Sequence, residues 1–197
     1  VDNSRQPGSR WYTGSGITRD VYLLRTNSCH VKTWGVCVTT PDIRPEQATV
    51  RVQTDLAGAF GRKDLRLDTQ LLDGRGTVCA SAVCAMPSKQ ESAAFQELAL
   101  PFPKIWDTAC PVLYTAVSLL YEGETLLDEV HTPFGVRDIA YNAAQGFLLN
   151  GRKAILKGVF LHHDGGCVGA AVPVPVWRPR LPKLPAAGAN PRRLRHT

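Results

Sequence analysis

Apolar and polar residues alternate with a period of two between Trp34 and Gly135. Such alternation predicts half-buried antiparallel strands, in which one face meets a core and the other meets water. In the segment 48–55, one face carries Ala48, Val50, Val52 and Thr54. The same pattern predicts seven strands, at 30–40, 48–55, 65–72, 77–85, 94–100, 113–121 and 124–132.

Short turn sequences separate these predicted strands. Asp73-Gly74-Arg75-Gly76 and Glu122-Gly123 have the composition of hairpin turns. Short strands that follow one another roughly every 8 to 12 residues are typical of an immunoglobulin-like β-sandwich. The sequence therefore predicts a mainly β fold of this kind for the middle of the chain.

The flanking segments do not continue this pattern. Upstream, the Gly-rich stretch 11–17 and the apolar run 21–24 are interpreted as the last loop and strand of a preceding domain. Downstream, residues 139–150 and the turn Asn150-Gly151 predict a short hairpin. The run 154–161 then predicts a strand that is buried on both faces, as in a parallel sheet or barrel.

The end of the chain combines prolines with basic residues. Six prolines lie from Val172 onward, and they exclude a long stable helix there. The formal net charge of +6 comes entirely from residues after Asp164, since the acids and bases before that point balance. We interpret this end as a solvated tail, so no nucleic-acid partner is expected. No apolar run approaches the roughly 18 residues of a membrane span, and no membrane partner is expected either.

The chain contains six cysteines, at 29, 37, 79, 84, 110 and 167, and none forms a C-x-x-C motif. They are too few for a disulfide scaffold and are interpreted as buried or semi-buried thiols. Cys79 and Cys84 are five residues apart on one predicted strand, so they should face opposite ways unless a bulge intervenes. No metal site is therefore predicted.

One polar cluster follows the predicted buried strand. His162, His163 and Asp164 come directly after Leu161, and the carboxyl ends of strands carry ligand-binding groups in parallel α/β folds. Alternation would place His162 and Asp164 on one side and His163 on the other. The alternative is a pair of histidines that only hydrogen-bond within a turn.

Aromatic and acidic residues offer two weaker candidates. Trp11, Tyr12, Trp34 and Trp106 could stack on a sugar, but tryptophans of a sandwich more commonly belong to its core. The acids at 122, 124, 128 and 129 are more simply an exposed hairpin than a catalytic carboxylate pair. The chain has no G-x-S-x-G, Walker, Rossmann or H-E-x-x-H motif.

Several ordered motifs carry a resemblance to a known family. They are Phe134-Gly135-Val136-Arg137-Asp138-Ile139, Gly146-Phe147-Leu148-Leu149-Asn150-Gly151, Leu156-Lys157-Gly158-Val159, His162-His163-Asp164 and Gly169-Ala170-Ala171-Val172. Together they resemble the junction between the immunoglobulin-like domain and the (β/α)8 barrel of glycoside hydrolase family 2, the β-galactosidase and β-glucuronidase family. Ser9-Arg10-Trp11-Tyr12 resembles the end of that family's sugar-binding jelly roll, and Trp106 with Pro111, Leu113 and Tyr114 resembles its sandwich signature.

The resemblance implies a fragment of a retaining β-glycosidase, most similar to β-galactosidases. In that family one glutamate protonates the leaving oxygen and a second attacks the anomeric carbon. Both belong to later barrel strands, and the Mg²⁺ ligands of the β-galactosidases also come from outside this chain, so this chain alone is predicted to be inactive. It would contribute His162 and Asp164 as substrate-binding residues, with His162 hydrogen-bonded to sugar hydroxyls.

Two departures from the family pattern concern the barrel. The family usually has Asn two residues before the matching His, where this chain has Phe160. The helix expected after Ala171 is replaced by the proline-rich string that ends in Arg192-Arg193-Leu194-Arg195. The first barrel helix is therefore not predicted for this chain.

These observations give a domain division and two functional hypotheses. The resemblance divides the chain into the end of a jelly roll (1–29), an immunoglobulin-like sandwich (30–137), the truncated start of a TIM barrel (138–172) and an irregular tail (173–197). The first hypothesis is a glycosidase fragment whose full-length protein acts on β-linked saccharides and could form homo-oligomers. The alternative is a free-standing, non-catalytic sandwich that binds carbohydrate or protein. The compartment is left open, with the cytoplasm favoured over an extracytoplasmic location.

Overall fold

A computed structural model describes residues 17, 20–86, 93–161, 169, 171–179, 181–186 and 192–194. The chain separates into two compact units. One unit is Arg25–Ala154, and the other combines Val1–Leu24 with Ile155–Thr197. Each is described by itself below.

Two antiparallel sheets form the body of the first unit. Its strands are β1 (His30–Ile43), β2 (Gln47–Ala57), β3 (Leu65–Leu72), β4 (Val78–Ala85), β5 (Ala93–Pro101), β6 (Tyr114–Glu122) and β7 (Thr125–Phe134). One sheet has the order β1-β2-β5 and the other the order β4-β3-β6-β7. All seven predicted strands are present, and the prediction of a mainly β sandwich is confirmed.

The predicted hairpin turns join β3 to β4 and β6 to β7. In the first, the Asp73 N–H donates to the Thr77 carbonyl, and the Gly76 N–H donates to the Asp73 carbonyl. Asp73 Oδ1 also accepts hydrogen bonds from the N–H groups of Arg75 and Thr77, each at 2.9 Å. In the second, Gly123 has a φ of +59°, a conformation that glycine adopts at little cost.

The core between the sheets consists of two hydrophobic clusters. The first contains Ala48, Val50, Val52, Leu71, Leu98, Leu100, Tyr114, Ala116, Phe134 and Val136. The second contains Cys29, Val31, Leu56, Ala59, Leu65, Leu67, Met86, Ala94 and Leu120. Four buried polar residues complete the inward-facing positions: Thr54, Thr69, Gln96 and Ser118.

Strand β1 is irregular at two places, and the larger irregularity lies between Val31 and Val36. Val31 pairs with Leu56 and Val36 pairs with Thr54, so four residues, 32–35, lie opposite Asp55 alone. Within this bulge Trp34 has a φ of +60° and is 98% exposed. A Cβ on Gly35 would lie 2.7 Å from the Lys32 carbonyl oxygen and 2.9 Å from that of Asp55, so this position accommodates only glycine. The expectation that Trp34 belongs to the core is wrong, because the bulge turns it outward.

A bulge in β4 changes the orientation predicted for two cysteines. Leu71 pairs with Ala80 and Leu72 with Val78, so Cys79 is the extra residue of β4. Cys79 packs against the first core cluster and Cys84 against the second. The expected opposite orientation therefore does not hold, because one extra residue shifts the alternation of the strand.

A small antiparallel meander follows the sandwich. It consists of β8 (Ile139–Asn142), β9 (Gly146–Leu149) and β10 (Arg152–Lys153). Asn150 and Gly151, with φ values of +51° and +73°, form the predicted turn between β9 and β10. Two consecutive residues with positive φ are characteristic of a type I′ hairpin turn.

The second unit contains a parallel strand pair, β11 (Val159–Leu161) with β12 (Arg192–Leu194). Between them lie two helical turns, α1 (Val174–Trp177) and α2 (Lys183–Ala186). The predicted strand at 154–161 is thus shorter than expected, and Ile155 and Leu156 are exposed. Residues 21–24, also predicted to form a strand, have no strand partner in the described part of the chain. None of the helices within the described ranges is long and apolar enough to span a membrane.

Candidate functional site at the end of the sandwich

Close packing of an indole against a glycine marks the point where the sandwich ends. Gly135 follows β7 directly, and a Cβ at this position would lie 2.7 Å from Cγ of Trp106. Real Cβ contacts of this length do not occur, so the position requires glycine. Gly135 of the motif string at 134–139 therefore leaves room for the Trp106 ring.

Further contacts hold the loop at Trp106 against the segment that follows β7. The backbone N–H of Trp106 donates to the Val136 carbonyl at 2.8 Å, and Val136 is fully buried. The Arg137 guanidinium lies over the Trp106 ring, 4.7 Å from its centroid, which is the geometry of a cation–π interaction. Thr40 Oγ1 donates to the Arg137 carbonyl at 3.1 Å and ties this segment to β1.

Asn150 connects the meander to both segments. Its Oδ1 accepts a hydrogen bond from the Asp138 N–H at 3.0 Å, and its Nδ2 donates to the Trp106 carbonyl at 3.0 Å. Its own N–H donates to the Asp138 carbonyl at 2.9 Å. The turn residue with a left-handed backbone is thus also a three-bond bridge. We call the set Trp106, Gly135, Arg137, Asp138 and Asn150 the junction.

A surface cleft of about 510 Å³ lies beside the junction. Its walls are formed by residues 38–41 of β1, Leu113, and residues 133–135 and 137–139. Two of its polar groups, the Thr40 hydroxyl and the Arg137 guanidinium, are already engaged in the contacts described above. The contacts of the junction therefore hold these chain segments together.

The predicted substrate-binding residues His162 and Asp164, with His163, lie outside the described residues, as do Trp11 and Tyr12. Of the remaining two tryptophans, Trp34 is exposed on its bulge and Trp106 is half-buried in the junction. These two candidates, which the structure describes, therefore lie at different places in the sandwich unit.

The acidic hairpin has structural partners, as expected for an exposed turn. Glu122 Oε2 accepts a hydrogen bond from Arg62 Nη1 at 2.6 Å, and Asp128 Oδ2 accepts one from the Val31 N–H at 2.8 Å. Glu129 pairs with His131 at 2.6 Å. Glu122 and Asp128 thus tie β6 and β7 to neighbouring segments, whereas the Glu129–His131 pair lies within β7.

The described part of the chain brings together no group of three or more His, Cys, Asp or Glu side chains that could hold a metal ion. The described residues therefore offer no ligand set for the Mg²⁺ that the resemblance associates with full-length family members. Among the cysteines, burial raises the pKa of the Cys29 thiol. Cys37 and Cys110 are exposed, so the expectation of buried or semi-buried thiols is wrong for these two.

The sequence predicted the turn at Asn150 but not its role as a bridge. An Asn-Gly pair indicates a type I′ turn by itself, whereas the bonds to Trp106 and Asp138 depend on how the meander folds against two other loops. Gly135 gave no signal of its own, since nothing in the sequence shows which ring it faces. Only the resemblance pointed to Gly135.

Comparison with known proteins places this junction in a family. The sequence model described as glycosyl hydrolases family 2 matches residues 30–137. The β-galactosidase BoGH2A of Bacteroides ovatus is 36% identical over 199 residues, which cover 100% of this chain and 23% of that protein.

Two solved structures agree with this match. A glycosyl hydrolase family 2 member from Bacteroides cellulosilyticus superimposes with a TM-score of 0.85 at 36% identity, covering 95% of this chain and 25% of that one. A β-glycosidase from Bacteroides vulgatus gives a TM-score of 0.81 at 32% identity, covering 95% and 24%. The immunoglobulin-like sandwich with its junction is thus of the glycoside-hydrolase class. The chain belongs to glycosyl hydrolases family 2, and it spans about a quarter of the length of these relatives.

Proposed function

We propose that this chain is part of a retaining β-glycosidase of the β-galactosidase type, which hydrolyses β-linked saccharides. The observation that carries the proposal is the 36% identity to the B. ovatus β-galactosidase, which extends over the whole chain and is not confined to the sandwich. The alternative of a free-standing binding sandwich has no comparable support, because it does not account for the similarity of residues beyond 137.

Within such an enzyme the sandwich would act as a rigid spacer. The support for this role is the junction, where Asn150 bonds to Trp106 and Asp138 and Gly135 packs against the indole. A spacer must not bend where it meets the next domain, and side chains locked by packing and hydrogen bonds supply that stiffness. The function of residues 30–137 would then be positional.

The residues after the junction would begin a (β/α)8 barrel. Parallel pairing of β11 with β12, with helical turns between them, supports this proposal, because parallel strands need a crossover connection and barrels are built from such units. The described strands are three residues each. The barrel itself would be completed by the rest of the longer protein.

His162 and Asp164 would contact sugar hydroxyls at the carboxyl end of the first barrel strand. The two carboxyl groups of a retaining glycosidase stand roughly 5 to 5.5 Å apart, one as acid and base and one as nucleophile. In this proposal the rest of the protein supplies both, together with the Mg²⁺ site. The described chain then positions substrate and domains but carries out no bond cleavage.

An exchange experiment tests the proposal. Residues 1–197 replace the aligned 199-residue segment of BoGH2A, and hydrolysis of nitrophenyl β-galactoside is measured for the chimera, for BoGH2A and for the isolated 197-residue chain. We expect the chimera to be active and the isolated chain to be inactive, because the latter lacks the paired carboxylates. A folded but inactive chimera, or turnover by the purified isolated chain, would contradict the proposal.

A further inference from the structure

Four buried polar residues form one layer across the middle of the sandwich core. Along each of four strands the order is the same: a residue of the first hydrophobic cluster, a polar residue two positions on, and a residue of the second cluster a further two positions on. The triplets are 52-54-56 on β2, 71-69-67 on β3, 98-96-94 on β5 and 116-118-120 on β6. The polar members are at most 5% exposed, so this layer separates the two clusters.

The members of the layer differ in how they are satisfied. Gln96 of β5 reaches the opposite sheet, where its Oε1 accepts a hydrogen bond from Thr69 Oγ1 at 2.6 Å. Its Nε2 lies 3.2 Å from the Leu67 carbonyl of β3 and 3.2 Å from the Ala82 carbonyl of β4. The hydroxyls of Thr54 and Ser118, by contrast, are buried and have no hydrogen-bond partner among the described residues.

Apolar alternation by itself does not exclude one error in strand pairing, a slip by two residues. A strand that slips by one residue turns its apolar face to water, but a slip by two residues keeps every apolar side chain inside. Strand β5 offers this alternative, since its inward positions are otherwise Ala94, Leu98 and Leu100. The polar position is the one inward position of β5 whose hydrogen bonds distinguish the native register from the slipped one.

We propose that the Gln96–Thr69 pair, which joins β5 to the facing sheet, fixes the register in which β5 pairs with β2, so that the sandwich has one arrangement and not two. A slip of two residues would move Gln96 by about 6.7 Å along the strand. That movement would break all three hydrogen bonds and leave the Thr69 hydroxyl and the Gln96 amide buried without partners, a cost in free energy that the native register avoids. Thr54 and Ser118 lack such bonds, and they contribute no register information.

The register of β5 would also affect the junction, which lies at one end of the core. Trp106 lies five residues beyond the end of β5, so a shifted β5 would carry the loop with Trp106 away from Gly135 and Asn150. A polar position in a core lowers stability while it excludes wrong pairings, as a buried Asn does in coiled coils. The Gln96–Thr69 pair acts in the same way for this sandwich.

Two double variants of the full 197-residue chain separate the two kinds of polar residue. Q96M/T69V removes the bonded pair, and T54V/S118A is the matched control that removes two buried hydroxyls without touching those bonds. We expect T54V/S118A to give one set of amide signals in a ¹H–¹⁵N spectrum and a Tm higher by roughly 2 to 8 °C. We expect Q96M/T69V to give a second set of signals for residues of β2 and β5.

The outcome for Q96M/T69V decides the proposal. A single set of signals with the native pairing of β2 and β5, seen in cross-strand nuclear Overhauser effects, would overturn it, as would doubled signals in T54V/S118A. If Q96M/T69V does not fold, Thr69→Val alone decides. A tenfold or greater loss of amide-exchange protection confined to β5 would support the register role, and an equal loss in all strands would overturn it.

Discussion

The indole of Trp106 lies directly against the α-carbon of Gly135, so closely that a Cβ on Gly135 would be 2.7 Å from Cγ and 2.8 Å from Cδ1 of the ring. The contact joins the loop after β5 to the segment after β7. Because both segments are also hydrogen-bonded to each other, neither can move away to accommodate a larger residue.

Gly135→Ala should therefore destabilise the sandwich by about 1 to 3 kcal/mol, the usual cost of overpacking a well-filled site. Denaturant unfolding followed by tryptophan fluorescence measures this change. Gly74→Ala is the matched control, since the nearest atom to a Cβ there is the Leu113 carbonyl oxygen at 3.9 Å. Equal stability of the two variants would show that the indole can shift after all.

Asn150→Ala should lower the free energy of unfolding by about 1 to 3 kcal/mol. The variant loses both side-chain hydrogen bonds of the bridge and places alanine at a φ of +51°. Asn142→Ala is the control, because it loses one exposed hydrogen bond, from the Ala144 N–H within its own turn. This substitution should lower the free energy of unfolding by less than about 0.5 kcal/mol, as is typical of surface sites. Calorimetry compares the stability of the two variants. If Asn150→Ala is as stable as the wild-type chain, the hydrogen bonds of Asn150 do not stabilise the junction.

The cysteines should react with iodoacetamide at very different rates. Cys29 is fully buried and its pKa is raised by burial, so its reactive thiolate is scarce at neutral pH. Cys37 and Cys110 are exposed and should be labelled first. Peptide mapping of a time course at pH 7.5, with and without denaturant, measures the order. Labelling of Cys29 as fast as Cys37 in the native chain would contradict the described burial.

Asp73 should make the β3–β4 turn sensitive to acid. Hydrogen bonds from the Thr77 and Arg75 N–H groups lower the pKa of its carboxyl. A group whose pKa is lower in the folded state adds stability above its unfolded pKa, about 3.9, and loses it as the pH falls through the folded value.

Asp73→Asn should therefore have a lower Tm than the wild-type chain at pH 7, and the two values should converge as the pH falls below the lowered pKa of Asp73 in the folded chain. Glu124→Gln, an exposed change on the other hairpin, is the control and should match the wild-type chain at both pH values. A difference between Asp73→Asn and the wild-type chain that persists unchanged in acid would mean that the carboxylate charge is not the cause.

His162 and His163 should behave oppositely in an active chimera. His162→Ala should lower kcat/KM by more than one order of magnitude and leave the Tm nearly unchanged, because a side chain at the carboxyl end of a barrel strand faces the substrate. His163→Ala should lower the Tm first, because alternation turns it toward the barrel wall. Kinetics and melting curves of both variants measure this, and a silent His162→Ala would show that the family role does not extend to this position.

Strand positions were predictable from the sequence because burial in a sandwich has the period of the backbone itself. The predicted strand 65–72 coincides with β3, and the other six differ from the structure by at most three residues at either end. The turns at Asp73, Gly123 and Asn150 were predictable for a similar reason, since local backbone conformation selects their residues.

Features that depend on register or on bulges were not predictable. Trp34 is apolar and lies in a strand, which favours the core, yet three extra residues in β1 turn it to solvent. Cys79 and Cys84 both contact the core because a bulge shifts the alternation of β4. Gln96 was recognisable as a polar residue in a strand, but its partners Thr69 and Ala82 become neighbours only when the two sheets are placed face to face.

The bulge at Trp34 also has a consequence for the behaviour of the protein in concentrated solution. Strand β1 is at the edge of its sheet, and at 14 residues it would be a long template for pairing with another molecule. The irregular stretch 32–35 interrupts its row of free N–H and C=O groups, and Pro41 removes a further donor near its end. Strand-to-strand aggregation, the characteristic failure of open β-sheets, is thereby discouraged at the edge that would otherwise invite it most.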